Sequence, residues 1–432
     1  MISRFQDLAD AGIPITSGWV PVAIVVIALA ATVWLVAVFR RRYAIAIAAA
    51  AGCAAVTYLS TNSVLVGLSI LPEPIPRATR AWIALGVFAV VLLVPRLLAS
   101  STAGARVVTV CATIAVVAAS ANGVNREFDA YPTVESLFDT GDVDEATQGE
   151  FGPDGVKIVD LSEWHPTTSL PSSGRVASMP IPATASGFQA RPAIVYFPPA
   201  YSANPRPRLP VLVLLAGQPG SPSDWIRSVR MPSIMDAFAK DHGGVAPVVV
   251  VADGTGTEWD NPACVDSPEG NVSTYLTTDL QNWAARELTV ATDRAHWAVG
   301  GLSYGGTCSL QLVTNHPNSY RVFLNMSGQL EPTLGGRQRT VDTLFGGSVE
   351  AFRKVNPMDI MARQKFPNVT GVFVVGADDR DYRPGLERVY AAARASGMRV
   401  EMKIIPGGHT FAVWRTGLQQ ELPWLAAQLG IK

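Results

Sequence analysis

Long apolar runs dominate the first third of the chain. Residues 19–39 form an uncharged apolar run that is long enough to cross a bilayer as a helix. Three further apolar runs follow, at residues 43–71, 81–98 and 106–121. The pattern predicts four membrane helices. Because no Asp, Glu, Lys or His lies near the middle of any run, a tether is the simplest role for them.

Charged residues beside these runs predict how the helices are oriented. The first run is unlike a cleaved signal peptide, because Arg40, Arg41 and Arg42 stand where a small-residue cleavage site would be expected. Cytoplasmic loops are enriched in Lys and Arg, so this cluster predicts that the first loop lies inside. After four crossings both termini are external. The chain is therefore predicted to be a multi-pass protein of the cell membrane that is extracytoplasmic beyond about Asn122.

After a stretch rich in Gly, Pro, Ser and acidic residues, the pattern changes to short apolar runs that alternate with helical stretches. An antiparallel pair of strands is predicted at residues 175–180 and 193–197. The buried strands predicted next are residues 209–215, 247–252, 295–302, 321–326, 371–375 and 399–404. Helices are predicted between them, for example at residues 233–241, 274–287 and 383–395. This alternation predicts an α/β fold with a mostly parallel sheet covered by helices.

These patterns together predict three regions. Residues 1–122 form a transmembrane anchor region of about four helices, residues 123–174 form a linker, and residues 175–432 form the α/β domain. The chain has 34 Lys and Arg against 35 Asp and Glu, and it has no clustered basic stripe with interleaved aromatic residues. Nucleic acid is therefore not expected as a partner.

A serine between glycines ends the strand predicted at residues 295–302. Gly301, Ser303 and Gly305 have the spacing of a nucleophile elbow, in which the serine occupies a sharp turn from strand to helix. Glycines two residues before and after the serine remove side chains that would collide in this turn. The strand before and the helical stretch after supply the required context, so Ser303 is predicted to be a nucleophile.

A serine nucleophile needs a base, and the base needs an acid to orient it. His409 is the one of five histidines in the loop after the last predicted strand, where two glycines precede it. In α/β-hydrolases the acid lies between serine and histidine in chain order. Asp379, three residues after Gly376, is the predicted acid, and Asp378 and Asp381 remain alternatives.

Backbone amides are expected to stabilise the negatively charged oxygen of a tetrahedral intermediate. One should belong to Tyr304, directly after the nucleophile. The other should come from the loop after the strand at residues 209–215. Gln218 is the better donor in that loop, because Pro219 has no amide hydrogen.

Cys264 and Cys308 are the two cysteines of the predicted soluble region. In an oxidising compartment such a pair favours a disulfide, which would brace the helix behind Ser303. Two unpaired buried thiols are the alternative. No Cys and His spacing indicates a metal site and no phosphate-binding glycine loop stands out, so neither a metal nor another cofactor is expected.

Five short segments carry a family resemblance that extends from about Arg175 to the carboxyl terminus. They are Leu214 to Gln218, Trp259-Asp260, Thr274-Tyr275-Leu276, Gly301 to Gly306, and Gly407 to Thr410 with Trp414. Together they resemble the antigen 85 and esterase D-like family of bacterial α/β-hydrolases. The resemblance implies an α/β-hydrolase fold, a triad of Ser303, an acid and His409, and carboxylic esters as substrates. The mycolyltransferase branch of the family is secreted and uses a glutamate as its acid, and this chain departs from it in both respects.

Three functions remain open at this point. The leading hypothesis is a membrane-anchored, extracytoplasmic serine ester hydrolase that forms an acyl-enzyme on Ser303. Its partners would be the membrane and a small-molecule or lipid ester, and the position beside the bilayer suggests envelope lipids such as aminoacylated phospholipids. The second hypothesis is an acyltransferase of the cell envelope, and the third is a catalytically silent envelope scaffold.

Overall fold

The computed structural model describes residues 12–38, 40–67, 74–138, 143–145, 150–166 and 169–432. The chain separates into two compact units, Met1–Asp139 and Thr140–Lys432. Phe39, the last residue of the first predicted run, lies outside the described residues, as do residues 68–73, which include the end of the second. The same holds for residues 139–142, 146–149 and 167–168 of the predicted linker.

Apolar helices make up most of the first unit. Its described part contains four of them: α1 Val20–Val36, α2 Arg41–Gly67, α3 Arg77–Ala99 and α4 Ala103–Phe128. By length and composition α2, α3 and α4 could each cross a membrane, and α1 is a shorter apolar helix of 17 residues. Thr102 caps α4, because its side chain accepts a hydrogen bond from Ala105 N. The prediction of about four apolar helices is confirmed.

Small and medium-sized apolar side chains fill the interior of this helix bundle. The buried set comprises Ala31, Leu35, Tyr43, Ala50, Ala89, Leu92, Ala112 and Val116. Val22, Leu29 and Val33 of α1 point outward and are more than half exposed, as expected of a helix that is apolar all round and meets lipid. Arg96 of α3 is a buried exception, and its guanidinium donates a hydrogen bond to the Trp34 carbonyl.

Backbone pairing joins two segments at one end of the bundle. Ile15 N donates to Pro132 O at 2.9 Å, and Val134 N donates to Ile13 O at 2.9 Å. The Asn122 side chain also donates to Ile15 O at 2.9 Å. The segment that enters α1 therefore lies beside the segment that leaves α4.

A large sheet organises the second unit, and nine strands form it within the described residues. In chain order they are β1 Asp144–Glu145, β2 Arg175–Met179, β3 Ala193–Phe197, β4 Val211–Leu215, β5 Val248–Ala252, β6 Trp297–Leu302, β7 Val322–Met326, β8 Thr370–Gly376 and β9 Arg399–Ile405. The order across the sheet is β1-β2-β3-β5-β4-β6-β7-β8-β9, with β3 antiparallel to both β2 and β5. From β5 to β9 in this order, neighbouring strands are parallel. The predicted mostly parallel α/β fold is confirmed.

Strands β4 to β7 are built from apolar residues except for Asn325 in β7, and every residue of these strands is buried. Such burial requires cover on both faces of the sheet. The helices of this unit are α5 Asp224–Arg227, α6 Met231–Asp241, α7 Val272–Thr274, α8 Leu280–Glu287, α9 Tyr304–Asn315, α10 Arg337–Phe345, α11 Val349–Val355, α12 Pro357–Arg363, α13 Arg383–Ala395 and α14 Phe411–Gln428. A π-helical stretch, Tyr275–Asp279, separates α7 from α8 inside the segment predicted as one helix.

The carboxyl ends of the parallel strands bring three of the predicted site residues to one edge of the sheet. Ser303 follows β6, Asp379 follows β8, and His409 lies in the loop between β9 and α14. In open α/β sheets this edge is where ligands bind. The direction of the parallel strands therefore brings the three residues to the same end of the sheet.

Candidate active site

Ser303 occupies a strained turn between β6 and α9. Its backbone has φ 53° and ψ −115°, a conformation that residues other than glycine rarely adopt. Ser303 N donates to Met326 O of the neighbouring strand at 2.8 Å, and Thr307 N donates to Ser303 O at 3.0 Å. Strain of this kind costs about 1–3 kcal/mol and persists where the surrounding structure enforces it.

Close backbone approach explains the glycines around Ser303. A Cβ atom on Gly301 would lie 2.3 Å from the carbonyl carbon of Gly305. A Cβ on Gly305 would lie 2.2 Å from Leu215 O in β4, and neither contact leaves room for a side chain. The turn therefore requires both glycines of the predicted motif.

Hydrogen bonds join the three predicted triad residues. His409 Nε2 lies 3.0 Å from Ser303 Oγ, and His409 Nδ1 lies 2.9 Å from Asp379 Oδ2. The Asp379 side chain is only 2% exposed, whereas the side chains of Asp378 and Asp381 face solvent. Of the three candidate carboxylates, Asp379 is the one that contacts the histidine.

The loops that carry Asp379 and His409 fit together through glycine. A Cβ on Gly376, at the end of β8, would lie 2.4 Å from both Gly407 O and Gly408 O. Asp378 N donates to Gly407 O at 2.8 Å, so the two loops also share a backbone hydrogen bond. This close fit fixes the distance between the carboxylate and the imidazole.

Two aromatic side chains enclose the His409 ring. Tyr382 stacks on it with ring centroids 3.8 Å apart, and Trp414 meets it edge-on at 4.9 Å. Tyr382 N also donates to Asp379 Oδ1 at 3.1 Å, and Trp414 Nε1 donates to Ser327 Oγ at 3.1 Å. Sequence reasoning did not assign Tyr382 a role. The residue lies directly before α13, and nothing in the sequence indicates that it contacts the loop after β9.

The predicted oxyanion donors belong to segments that adjoin Ser303. Tyr304 is the first residue of α9, so its amide has no intrahelical acceptor. A Cβ on Gly217 would lie 3.5 Å from Ser303 Cβ, which places the loop after β4 directly beside the serine. In this loop (residues 216–221), hereafter called the oxyanion loop after its predicted role, the Gln218 side chain donates to Trp259 O at 2.8 Å.

The Tyr304 side chain ties the elbow to the segment that contains Cys264. Its hydroxyl donates to Gly254 O at 2.8 Å and accepts from Cys264 N at 2.9 Å. Burial raises the pKa of Tyr304, so the hydroxyl stays protonated and keeps both bonds. Cys264 and Cys308 form a disulfide with Cα atoms 5.5 Å apart, and Cys308 belongs to α9.

An ion pair between the partly buried Arg191 and a buried aspartate lies beside the oxyanion loop, and sequence reasoning did not single it out. Arg191 Nη2 lies 2.7 Å from Asp253 Oδ1, and Asp253 is 1% exposed. Burial alone would raise the pKa of Asp253, but hydrogen bonds from Arg191 outweigh it and lower the pKa. Arg191 stands before β3 and Asp253 directly after β5, so their contact depends on the antiparallel pairing of these strands.

No group of three or more His, Cys, Asp or Glu side chains in the described ranges is arranged to hold a metal ion. The described site brings together the side chains of Ser303, His409 and Asp379. Such an arrangement suits acyl transfer from an ester to a serine oxygen.

Comparison with known proteins relates the chain to other sequences and structures. The model of the Esterase family, described as "Putative esterase", matches residues 188–425. An uncharacterised protein of Corynebacterium glutamicum is 35% identical over 377 residues, which cover 84% of each chain. Among solved structures, a ferulic acid esterase gives a TM-score of 0.51 at 19% identity and covers 59% of this chain and 99% of its own. MPT51 of Mycobacterium tuberculosis gives 0.44 at 15% identity over 61% of this chain and 100% of its own. The likeness to the ferulic acid esterase supports the α/β-hydrolase fold.

Proposed function

Because the chain belongs to the Esterase family and is a carboxylic ester hydrolase of the α/β-hydrolase fold, we propose that Ser303, His409 and Asp379 act as its catalytic triad. The observation that carries the proposal is the pair of hydrogen bonds that links the three side chains, at 3.0 and 2.9 Å. These distances lie in the range over which a proton passes from a hydroxyl to an imidazole.

The first half of the reaction transfers the acyl group to the enzyme. Ser303 Oγ attacks the ester carbonyl carbon while His409 Nε2 takes the serine proton. Asp379 accepts the hydrogen bond from His409 Nδ1 and stabilises the imidazolium that forms. Backbone amides of Tyr304 and Gln218 bind the negatively charged oxygen of the tetrahedral intermediate. When the intermediate collapses, His409 returns the proton to the leaving alcohol and an acyl-enzyme remains.

The second half releases the acid. A water molecule attacks the acyl carbon, and His409 Nε2 accepts a proton from it. The new tetrahedral intermediate breaks its bond to Ser303 Oγ, which recovers the proton from His409. Replacement of this water by an acceptor alcohol would give an acyltransferase, so the two activities differ only in the second substrate.

We further propose that the hydrolase unit works on the outer side of the cell membrane. The cluster Arg40-Arg41-Arg42 at the start of α2 favours the cytoplasmic side for the α1–α2 connection. The pairing of Ile15 with Pro132 supports an even number of crossings, because the entry to α1 and the exit of α4 share one end of the bundle. An anchored outer enzyme has envelope lipids within reach.

The loop that contacts Gln218 offers a reason to prefer aminoacylated lipids within this class. Trp259, whose carbonyl accepts the Gln218 hydrogen bond, is 50% exposed and stands between two exposed carboxylates, Glu258 and Asp260. An apolar surface flanked by negative charge complements the ammonium group of an aminoacyl ester. We propose an ester-linked aminoacyl group on an envelope lipid, such as an aminoacylated phospholipid, as the substrate.

Labelling of membranes with a fluorophosphonate probe tests the triad. The wild-type chain should label, and Ser303→Ala and His409→Ala should not. Ser273→Ala is a matched control, because Ser273 Oγ also bonds a histidine, His316 Nε2, at 2.7 Å but does not lie at an elbow. Labelling that survives Ser303→Ala, or that disappears in Ser273→Ala, would contradict the proposal.

A panel of glycerol esters tests the substrate class. Alanyl esters should be hydrolysed faster than acetyl esters, and the double variant Glu258→Gln/Asp260→Asn should reduce this preference without loss of probe labelling. Addition of a sugar or glycerol acceptor should leave the yield of free acid unchanged. Equal rates for both esters would refute the aminoacyl preference, and formation of a new ester at the expense of acid would identify a transferase.

A further inference from the structure

We propose that Arg191 is a positioning residue for the oxyanion site, because its guanidinium fastens the two loops that hold Gln218 in place. The inference rests on the proposed function and adds to it a residue outside the triad. Arg191 comes before β3, far in sequence from Gln218 and Ser303.

The first contact holds the oxyanion loop. Arg191 Nη1 donates to Gly220 O at 3.1 Å, two residues after Gln218. A Cβ on Gly220 would lie 2.8 Å from Gly217 O, so the loop turns tightly between these two residues. A fixed carbonyl at Gly220 therefore limits the freedom of the Gln218 amide, which lies inside this turn.

The second set of contacts anchors Arg191 to the end of β5. Its Nε and Nη2 atoms donate to both carboxylate oxygens of Asp253, at 3.1 and 2.7 Å. Nη2 also donates to Thr255 Oγ1 at 2.8 Å. Asp253 in turn accepts hydrogen bonds from the amides of Thr255 and Gly256, at 3.1 and 3.2 Å. Three hydrogen bonds thus tie the guanidinium to the segment that directly follows β5.

The loop that leaves Asp253 reaches the oxyanion loop again. Gly220 N donates to Glu258 O at 3.0 Å, and the Gln218 side chain donates to Trp259 O. Residues 254–260, hereafter the flanking loop, therefore hold the oxyanion loop through two hydrogen bonds, and Arg191 holds it through a third. Arg191 joins Asp253, the residue before the flanking loop, to Gly220 of the oxyanion loop, and in this way the ion pair helps to position the amide of Gln218.

The geometry explains why an arginine is needed. A guanidinium presents five N–H donors in a planar fork, and Arg191 uses this fork to join a carboxylate, a hydroxyl and a carbonyl. A lysine ammonium on a flexible chain would keep the charge beside Asp253 but could not hold Gly220 O in the same plane. The lysine variant therefore separates charge from positioning.

The experiment measures ester hydrolysis and binding of a boronic acid transition-state analogue with the full-length chain in detergent. Variants are Arg191→Lys, Arg191→Gln and the milder Thr255→Val, each normalised to active sites by fluorophosphonate titration. Arg206→Gln is the control, because the Arg206 guanidinium also donates to a backbone carbonyl, Gly152 O at 2.9 Å. Arg206 precedes β4, so it lies toward the amino-terminal ends of the parallel strands, away from Ser303.

Both Arg191 variants should lower kcat about 10- to 100-fold and change KM less than about threefold. They should weaken binding of the boronic acid analogue by the same factor as kcat. Thr255→Val should reduce kcat by about threefold, and Arg206→Gln should leave kcat and analogue affinity unchanged. Wild-type kcat and analogue affinity in Arg191→Lys and Thr255→Val would overturn the inference, as would an equal loss in Arg206→Gln. Failure of the wild-type chain to react with the probe would refute the proposed function itself.

Discussion

Burial distinguishes Asp379 from the carboxylates on either side of it. A carboxylate removed from water interacts more strongly with a neighbouring imidazolium than one in solvent does. Tyr382 N holds the second oxygen of Asp379, so the carboxylate cannot rotate away from His409. Asp378 and Asp381 are exposed and lack this restraint.

We expect Asp379→Asn to reduce kcat by about 10²- to 10⁴-fold, because an amide nitrogen in place of Oδ2 would favour the wrong tautomer of His409. Asp378→Asn and Asp381→Asn should stay within about twofold of the wild type. Steady-state hydrolysis of a short acyl ester measures both effects. A loss in Asp378→Asn equal to that in Asp379→Asn would assign the acid differently.

The site residues differ in how much of their position could be predicted. Ser303 and His409 have local signals, because glycines mark the backbone turns on which they depend. Tyr382 and Arg191 have no such signal, since each acts through a contact with a loop distant in sequence. A stacked ring or a guanidinium fork follows from how strands are ordered in the sheet, and a single sequence does not contain that order.

At the scale of elements, the segment around Cys264 links α9 to the helices α10–α12. Gln311 of α9 donates to Ala263 O at 2.8 Å, and the disulfide lies next to this bond. Ala263 and Cys264 both have positive φ angles, of 51° and 55°, so the segment needs external support to keep its shape. Ala263 also packs in a small apolar cluster with Leu344 of α10.

We expect the double variant Cys264→Ser/Cys308→Ser to lower the free energy of unfolding by about 2–4 kcal/mol, because the disulfide closes a loop of 44 residues in the unfolded chain. The measurement is the temperature at which the full-length chain in detergent loses probe labelling, with and without dithiothreitol. Reductant should lower this temperature in the wild type and leave the double variant unchanged. An unchanged wild type would show that the bridge adds no stability.

The strands that the pattern indicates most directly are those whose residues are all buried. Strands such as β5, four valines and an alanine, form continuous apolar runs because both faces of the sheet are covered. Helices α10–α12 were not singled out from the sequence, because they are only 9, 7 and 7 residues long and bury only a few side chains each, such as Thr340, Val341 and Leu344 in α10. A sequence with such weak hydrophobic periodicity resembles that of a loop. Only the apolar cluster against which the helix packs distinguishes the two.

At the scale of the whole molecule, an apolar bundle and an esterase unit share one chain. The bundle exposes apolar side chains on its outer faces, which suits lipid and not water. Its buried Arg96 donates to the carbonyl of Trp34 near the end of α1, so the carboxyl-terminal ends of α1 and α3 lie together. The first and third helices of the bundle therefore run in the same direction.

The orientation of the bundle leads to a prediction about the carboxyl terminus. Alkaline phosphatase fused after Lys432 should be active in intact cells, whereas β-galactosidase fused there should be inactive, because we propose that the arginine cluster at residues 40–42 keeps the first connection inside. Replacement of the three arginines by asparagine should weaken this bias and give a mixture of orientations. Activity of the β-galactosidase fusion alone would place the hydrolase unit in the cytoplasm. That result would remove the oxidising surroundings that favour the Cys264–Cys308 disulfide and the access to outer-leaflet lipids, but the proposed triad would stand, because its hydrogen bonds do not depend on the side of the membrane.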